Sequence, residues 1–276
     1  MQLGISSFTF TWALGVPGHP PAHPLGALDL LDRAAALGVR VVQFADNLPL
    51  DRLTDTELDA LAQRSSELGV CVEVGTRGID PGLLRTYLDL AQRLGSPVVR
   101  VVVDTADHHP EVDEVVATLQ GLAPAFERAR VVLAIENHDR FDTATLIQIM
   151  EKVGSAGVGI CLDTANSFAA LEGPEVVVER LCPWVANLHL KDFVIFRANQ
   201  NMGFVIEGRP MGQGHLDVLW LLQTLRDCGK DPNAILELWT PWSGTLEDTL
   251  EKEAAWAAAS VRYLRQFIRN EGHNVD

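Results

Sequence analysis

Residues 131–164 read VVLAIENHDRFDTATLIQIMEKVGSAGVGICLDT, and this stretch decides the fold. A β-branched apolar run stops at Glu136, a segment of helical period follows, and a second apolar run stops at Asp163. Continuous apolar runs, rather than alternating ones, belong to strands buried on both faces, as in parallel sheets. Working outward, the same unit recurs, with strand-type runs at 3–8, 40–44, 70–74, 98–103, 131–136, 158–162, 185–189 and 234–238. Between them lie amphipathic segments such as LGALDLLDRAAALG, TDTELDALAQRSSELG, PGLLRTYLDLAQRLG and LDVLWLLQTLRDCG, each closed by a glycine suited to a helix end. Eight such units predict an α/β fold, a (β/α)₈ TIM barrel formed as one domain over residues 1–276. The competing open, doubly wound sheet would carry a GxGxxG after its first strand, and none stands there.

Composition sets the outer limits. Hydrophobic residues make up 47% and charged residues 21% of the chain, ordinary globular usage. A formal net charge of -15 opposes nucleic acid as a partner, while leaving room for a small anion in a local basic pocket. No apolar stretch approaches the roughly 20 residues needed to cross a bilayer, and the start MQLGISSF lacks the basic region of a secretory signal. Cys71, Cys161, Cys182 and Cys228 show no CxxC spacing and are expected as buried free thiols, in keeping with a reducing cytoplasm. A homo-oligomer is compatible with all of this.

Two connections exceed what helix packing needs, residues 9–24 and 191–214, and both follow a strand, on the face where barrels carry their sites. The final segment, 246–270, has the spacing of an outer helix that closes the ring.

Each of the last four runs ends at an acid or an imidazole: AIEN at Glu136, CLDT at Asp163, NLHLKD at His189 and LELW at Glu237. Strand ends converge on the axis at the mouth of a barrel, so these four side chains meet around one point. Three carboxylates packed together repel, and a cation is the natural means of keeping all three ionised. One imidazole among oxygen donors suits one divalent metal ion of the harder kind, Mn²⁺ foremost, with Mg²⁺, Co²⁺ or Zn²⁺ compatible. Taken singly, each residue is equally readable as a strand-end acid that caps a helix or pairs with an arginine.

On these motifs the chain resembles the xylose isomerase-like TIM barrel family of sugar isomerases and epimerases, from the GISSFTF start to the last strand and helix. The resemblance implies that Glu136 in IENHDRF, Asp163 in CLDTANS, His189 in LHLKD and Glu237 in LELW are the metal ligands. It also implies that Glu136 and Glu237 are the catalytic acid and base, facing opposite sides of the substrate carbon. A divalent-metal-dependent isomerase or epimerase of a sugar or sugar acid would then work through an enediolate that the ion stabilises. One glutamate removes a proton and the other returns it on the opposite face or to the neighbouring carbon.

One departure opens a second reading. Many epimerases of the family have a histidine three residues after the strand-six aspartate, where this chain has Asn166 in DTAN. The same enediolate arises by loss of carbon dioxide from a 3-oxo sugar acid, or by expulsion of a leaving group in a dehydratase. The family includes decarboxylases of branched oxo-acids, so a metal-dependent lyase is the alternative. Its endonucleases carry extra histidines on strands three and four, where this chain has VEV and RVVVD.

Groups expected to bind substrate oxygens are His138, Asn166, Lys191, Arg197, Arg209 and Glu73, with Arg140, Asp192 and Arg77 near the same mouth. Arg140 is equally readable as a surface partner of Asp139 or Asp142, and Arg100, inside strand four, as an inward group or a salt-bridge partner. The glycines of PMGQG after Arg209 suit either a close approach of backbone to ligand or a plain turn. So many cations exceed the needs of a neutral sugar and point to a carboxylate or phosphate on the substrate.

Overall fold

The computed structural model describes residues 1–269. Its strands are β1 (Leu3–Ser6), β2 (Val41–Phe44), β3 (Cys71–Arg77), β4 (Val98–Val102), β5 (Val132–Glu136), β6 (Val158–Asp163), β7 (Val185–Leu190), β8 (Asp192–Arg197), β9 (Phe204–Arg209) and β10 (Ala234–Leu236). The helices are α1 (Thr11–Leu14), α2 (Ala27–Leu37), α3 (Asp55–Leu68), α4 (Pro81–Leu94), α5 (Val112–Ala129), α6 (Thr143–Val153), α7 (Pro174–Leu181), α8 (Val218–Asp227) and α9 (Leu246–Leu264). Eight strands close into a parallel barrel in the order β1-β10-β7-β6-β5-β4-β3-β2, with helices between them, so the chain folds as a (β/α)₈ TIM barrel. The expected outer helix over 246–270 is α9, and its last expected residue, like 271–276 of the expected domain, lies outside the described residues.

Local chemistry explains where the elements stop. At the start of α3, Thr54 and Glu57 cap each other's backbone, and the helix ends at Gly69, whose φ of +61° suits a residue without Cβ. Residues of alternate parity on each strand divide between two environments. Leu188, Leu190, Ile160 and Leu162 belong to the large core shared with the helices, whereas Val98, Ala134 and Cys161 form a small separate cluster. The inner side of the barrel also carries polar groups. Gln43, Glu73, Arg100, Asn187 and His189 are all buried, each a polar residue within an apolar strand.

Two features differ from the sequence expectation. The connection 191–214 contains an antiparallel hairpin, β8–β9, registered Ile195↔Ile206. Residues such as Ile195 and Phe196 alternate faces yet are both exposed, so apolar residues on both sides hide the usual strand signature. The base of the hairpin is gathered by Asp192, which accepts the N–H groups of Phe193, Gly212, Gly214 and Leu216 at 2.9–3.0 Å. A Cβ at Gly214 would overlap the Asp192 carboxylate, so in PMGQG a glycine serves the turn.

The second difference corrects the expectation of four free thiols: Cys182 and Cys228 form a disulfide, Cα–Cα 6.3 Å, that ties the end of α7 to the end of α8. The 46-residue separation concealed it. Cys161 is buried as expected, while Cys71 is exposed. Among the described residues no helix is long and apolar enough to cross a membrane.

Candidate metal centre and substrate cavity

Glu136 and Asp163 are the final residues of β5 and β6, His189 is the penultimate residue of β7, and Glu237 follows β10. The barrel brings them together. His189 Nδ1 lies 3.3 Å from Glu136 Oε2, 3.4 Å from Glu237 Oε1 and 3.7 Å from Asp163 Oδ2. It is buried and makes no hydrogen bond. Its other nitrogen, Nε2, sits 2.7 Å from Gln43 Oε1. The Gln43 amide nitrogen is already donating to Glu73 and Asn187, which fixes Oε1 as an acceptor and makes Nε2 a protonated nitrogen. Nδ1 is left facing three carboxylates; burial opposes a charge there, yet Cys161, Glu237 and Glu136 around the ring hold it protonated well above the usual imidazole range. A point that favours positive charge suits a cation, which would take the place of the Nδ1 proton, so the donors of Glu136, Asp163, His189 and Glu237, with Cys161 beside them, fit a divalent metal.

The carboxylates are held from behind. Asp163 Oδ1 accepts the N–H groups of Ala165 and Asn166 at 2.8 and 2.9 Å, and Glu237 Oε1 accepts from Ser6 Oγ at 2.9 Å. Lys191 Nζ bridges Asp163 at 2.6 Å and Glu237 at 2.8 Å. Glu136 is engaged at both oxygens, by Arg100 Nε at Oε2 and by Asn166 Nδ2 at Oε1, 2.6 Å away. Burial pushes the Glu136 carboxyl up, yet Arg100, with His189 and Lys191, outweighs burial and holds it well below the usual carboxylate range. Burial also raises Asp163, and Lys191 does not fully offset it against the charges of Glu136 and Glu237.

Above the cluster opens a cavity of about 380 Å³. Its walls differ. Phe8, Trp12 and Trp239, from the connections after β1 and β10, form an aromatic side, and Arg77 and Arg100, on β3 and β4, a cationic side. The two guanidiniums share Asp46: Arg100 Nη1 reaches Oδ1 at 2.7 Å and Arg77 Nε reaches Oδ2 at 2.9 Å. Trp12 is braced from α9, where the Glu253 carboxylate accepts the N–H groups of Trp12 and Ala13 at 2.8 and 3.1 Å.

Among the other groups named from sequence, Asn166, Lys191 and His138 line this cavity. Glu73 lies elsewhere, packed within the barrel beneath His189, its oxygens accepting from Gln43, Asn187 and Asn233 at 2.8–3.0 Å. Arg197 is on the hairpin over the Phe204 ring, and Arg209 pairs with Glu207. Arg140 takes its surface reading, with Asp104 at 2.6 Å. Gln43, Asp46, Ser6 and Asn187 were not singled out from sequence. The legible signal for Gln43 in VVQF and Asn187 in VANLHL was a polar residue inside a buried strand, which must find a partner.

Known proteins bear the architecture out. The chain is 36% identical over 272 residues, 98% of its length and 96% of the relative's, to the 3-oxo-isoapionate decarboxylase of Pectobacterium atrosepticum. Among solved structures, a D-psicose 3-epimerase crystallised in the presence of D-fructose matches with a TM-score of 0.73 at 15% identity, covering 98% of this chain and 100% of that one. The D-psicose 3-epimerase of Clostridium cellulolyticum H10 with D-tagatose matches at 0.73 and 14%, covering 96% and 99%. The profile described as xylose isomerase-like TIM barrel matches residues 31–267, and with the closed barrel this makes the chain a member of the xylose isomerase-like TIM barrel family.

Proposed function

We propose that the protein is a divalent-metal-dependent decarboxylase of a 3-oxo sugar acid, the lyase alternative of the sequence reading. The observation that carries this is the engagement of Glu136: Arg100 on one oxygen and Asn166 on the other hold it ionised, well below the usual carboxylate range, which weakens it as a base toward a substrate C–H. Epimerisation and aldose–ketose isomerisation both begin by removing a proton from carbon, a step suited to a base whose pKa lies near the working pH. Decarboxylation needs no such base. The full-length similarity to a 3-oxo-isoapionate decarboxylase supports the same choice.

A divalent cation on Glu136, Asp163, His189 and Glu237 would supply Lewis acidity toward the 3-oxo group and its neighbouring hydroxyl. Gln43 keeps His189 in the tautomer that offers Nδ1, and Ser6, Arg100 and Asn166 orient the two glutamates. In the reaction the bond from carbon to the carboxylate breaks and carbon dioxide leaves. The electron pair remains on that carbon, conjugated with the ketone, and one proton then closes a C–H bond. That proton comes from water, while Lys191 Nζ, which lines the cavity, stays bridged to Asp163 and Glu237 beside the reacting carbon. Asn166, Lys191 and His138 contact the substrate, whereas Glu73, Arg197 and Arg209 act outside the cavity. Phe8, Trp12 and Trp239 exclude water from the reacting carbon and receive the apolar face of the sugar chain.

The test is incubation of the Mn²⁺-loaded protein with 3-oxo sugar acids in D₂O. One carbon dioxide released per substrate, with one deuterium in the ketose product, is expected. Deuterium exchange into a ketose or aldose without loss of mass would instead assign the isomerase or epimerase reaction.

A further inference from the structure

The cationic side of the cavity holds a donor that the metal centre does not use. Arg100 is spent on Glu136 and Asp46, Lys191 on Asp163 and Glu237, and the His138 ring is 2.9 Å from the Asp139 carboxylate. Arg77 differs. Its Nε is fixed by Asp46 at 2.9 Å and its Nη1 by the Asp104 carbonyl at 3.1 Å, while its Nη2 makes no hydrogen bond among the described residues. The side chain is 34% exposed and lines the cavity. Two fixed nitrogens with a third unspent make a guanidinium held in one orientation with a donor presented to the cavity, a preorganised receptor for a carboxylate oxygen.

Charge points the same way. Around the cavity, Asp46, Glu136, Asp163 and Glu237 face Arg77, Arg100 and Lys191. With a divalent ion in the centre and His189 neutral as its ligand, the cations exceed the acids by one charge, which a monoanion neutralises.

We propose that Arg77 binds the substrate carboxylate and thereby sets the polarity of the bound chain: acid group against β3, reacting carbon over the metal centre. This rests on the sugar-acid reading above. It also has a kinetic consequence. A carboxylate leaves as neutral carbon dioxide, so attraction to its charge is realised in the ground state and given up as the bond breaks. Arg77 therefore acts on binding and selectivity rather than on the chemical step, and its loss raises KM while kcat holds or rises.

Two readouts test this with Arg77→Met, and Arg77→Lys as the conservative variant. In calorimetric titration of the Mn²⁺-loaded protein, ribonate, a sugar acid without a 3-oxo group, is compared with uncharged ribitol. Wild type is expected to prefer ribonate by about 10- to 100-fold, the range of a charge-assisted hydrogen bond. Arg77→Met should lose that preference with ribitol binding unchanged, and Arg77→Lys should recover part of it. A ribonate preference retained in Arg77→Met, or a kcat that falls with KM unchanged, overturns the assignment. Failure of wild type to release carbon dioxide would remove the decarboxylase reading alone, since the titration does not depend on turnover. Loss of folding in Arg77→Met is recognised from its thermal transition, and Arg77→Lys then decides, with an unaltered ribitol affinity and a reduced ribonate preference expected.

Discussion

Two groups of carboxylates are buried inside the same barrel, and their surroundings are opposite. At the mouth, Glu136 is faced by Arg100 and Asn166, and the arginine keeps it ionised against the pull of burial. Below, Glu73 is faced by the amides of Gln43, Asn187 and Asn233; burial dominates there and its carboxyl is pushed up, the three amide donors notwithstanding. Gln43 touches both groups, taking the His189 proton at one atom and donating to Glu73 from another. Burial alone therefore does not make a functional acid. Cations turn one carboxylate into a ligand, while amides leave the other as a structural strut that holds the imidazole in place.

This contrast can be broken from either side. The largest effect is expected at Glu237, where Glu237→Gln, by weakening the hold on the Lewis acid, should lower turnover by about 10³-fold, with metal content by mass spectrometry reduced but measurable; wild-type rates would remove the proposed centre. His189→Ala should lower the metal content further.

Removing the cation rather than the acid should be nearly as costly. Arg100→Met leaves Glu136 buried without the guanidinium that pairs it, while Asp46 keeps Arg77, and metal-free protein should lose about 3–5 kcal/mol in urea denaturation. Adding Glu136→Gln to Arg100→Met should restore part of that loss. An unchanged urea midpoint in the single variant would contradict the account of Glu136.

Glu253 stands between the two cases. Burial outweighs the two backbone N–H groups it accepts and pushes its carboxyl up to about 7. A carboxyl raised in the folded state binds a proton there more tightly than in the unfolded chain. Its contribution is therefore fully present below the unfolded value near 4.5 and is lost as pH rises through about 7. Wild type should lose on the order of 3 kcal/mol of stability between those limits from this group, and Glu253→Gln should flatten that part of the stability profile.

The smallest effect is reserved for Glu73. Glu73→Gln keeps the shape and removes a charge the site does not favour, and Asn233 can turn its amide to receive the new donor by giving up its exposed bond from the Gln2 N–H, so a cost under about 1.5 kcal/mol is expected. A loss of several kcal/mol would mean that Glu73 works as a second anionic centre.

How much of this was legible follows from the geometry of parallel strands. An apolar run stops where the chain leaves the core, so Glu136, Asp163, His189 and Glu237 announced themselves as the first polar groups after burial. Partnerships across the barrel were not legible in the same way. Arg100 could be read as inward or paired, and it is both, because Glu136 ends the neighbouring β5 and Asp46 follows β2, beyond β3, in registers that no single segment encodes. Glu73 was expected at the mouth because its strand looked short; β3 runs on to Arg77, which puts Glu73 deep and Arg77 at the rim. The arginines of the 191–214 connection looked like anion binders because nothing in the sequence marks that segment as a hairpin with its own partners.

The Asp192 clamp carries a lesson about inheritance. One side chain ties both ends of the β8–β9 hairpin to the rim through backbone N–H groups, so the sequence between those ends is unconstrained by the fastening. From Val194 to Glu207 the hairpin is thus a cassette, open to changes in length and composition, while Gly208, against the Trp239 backbone, and the barrel that holds it stay the same.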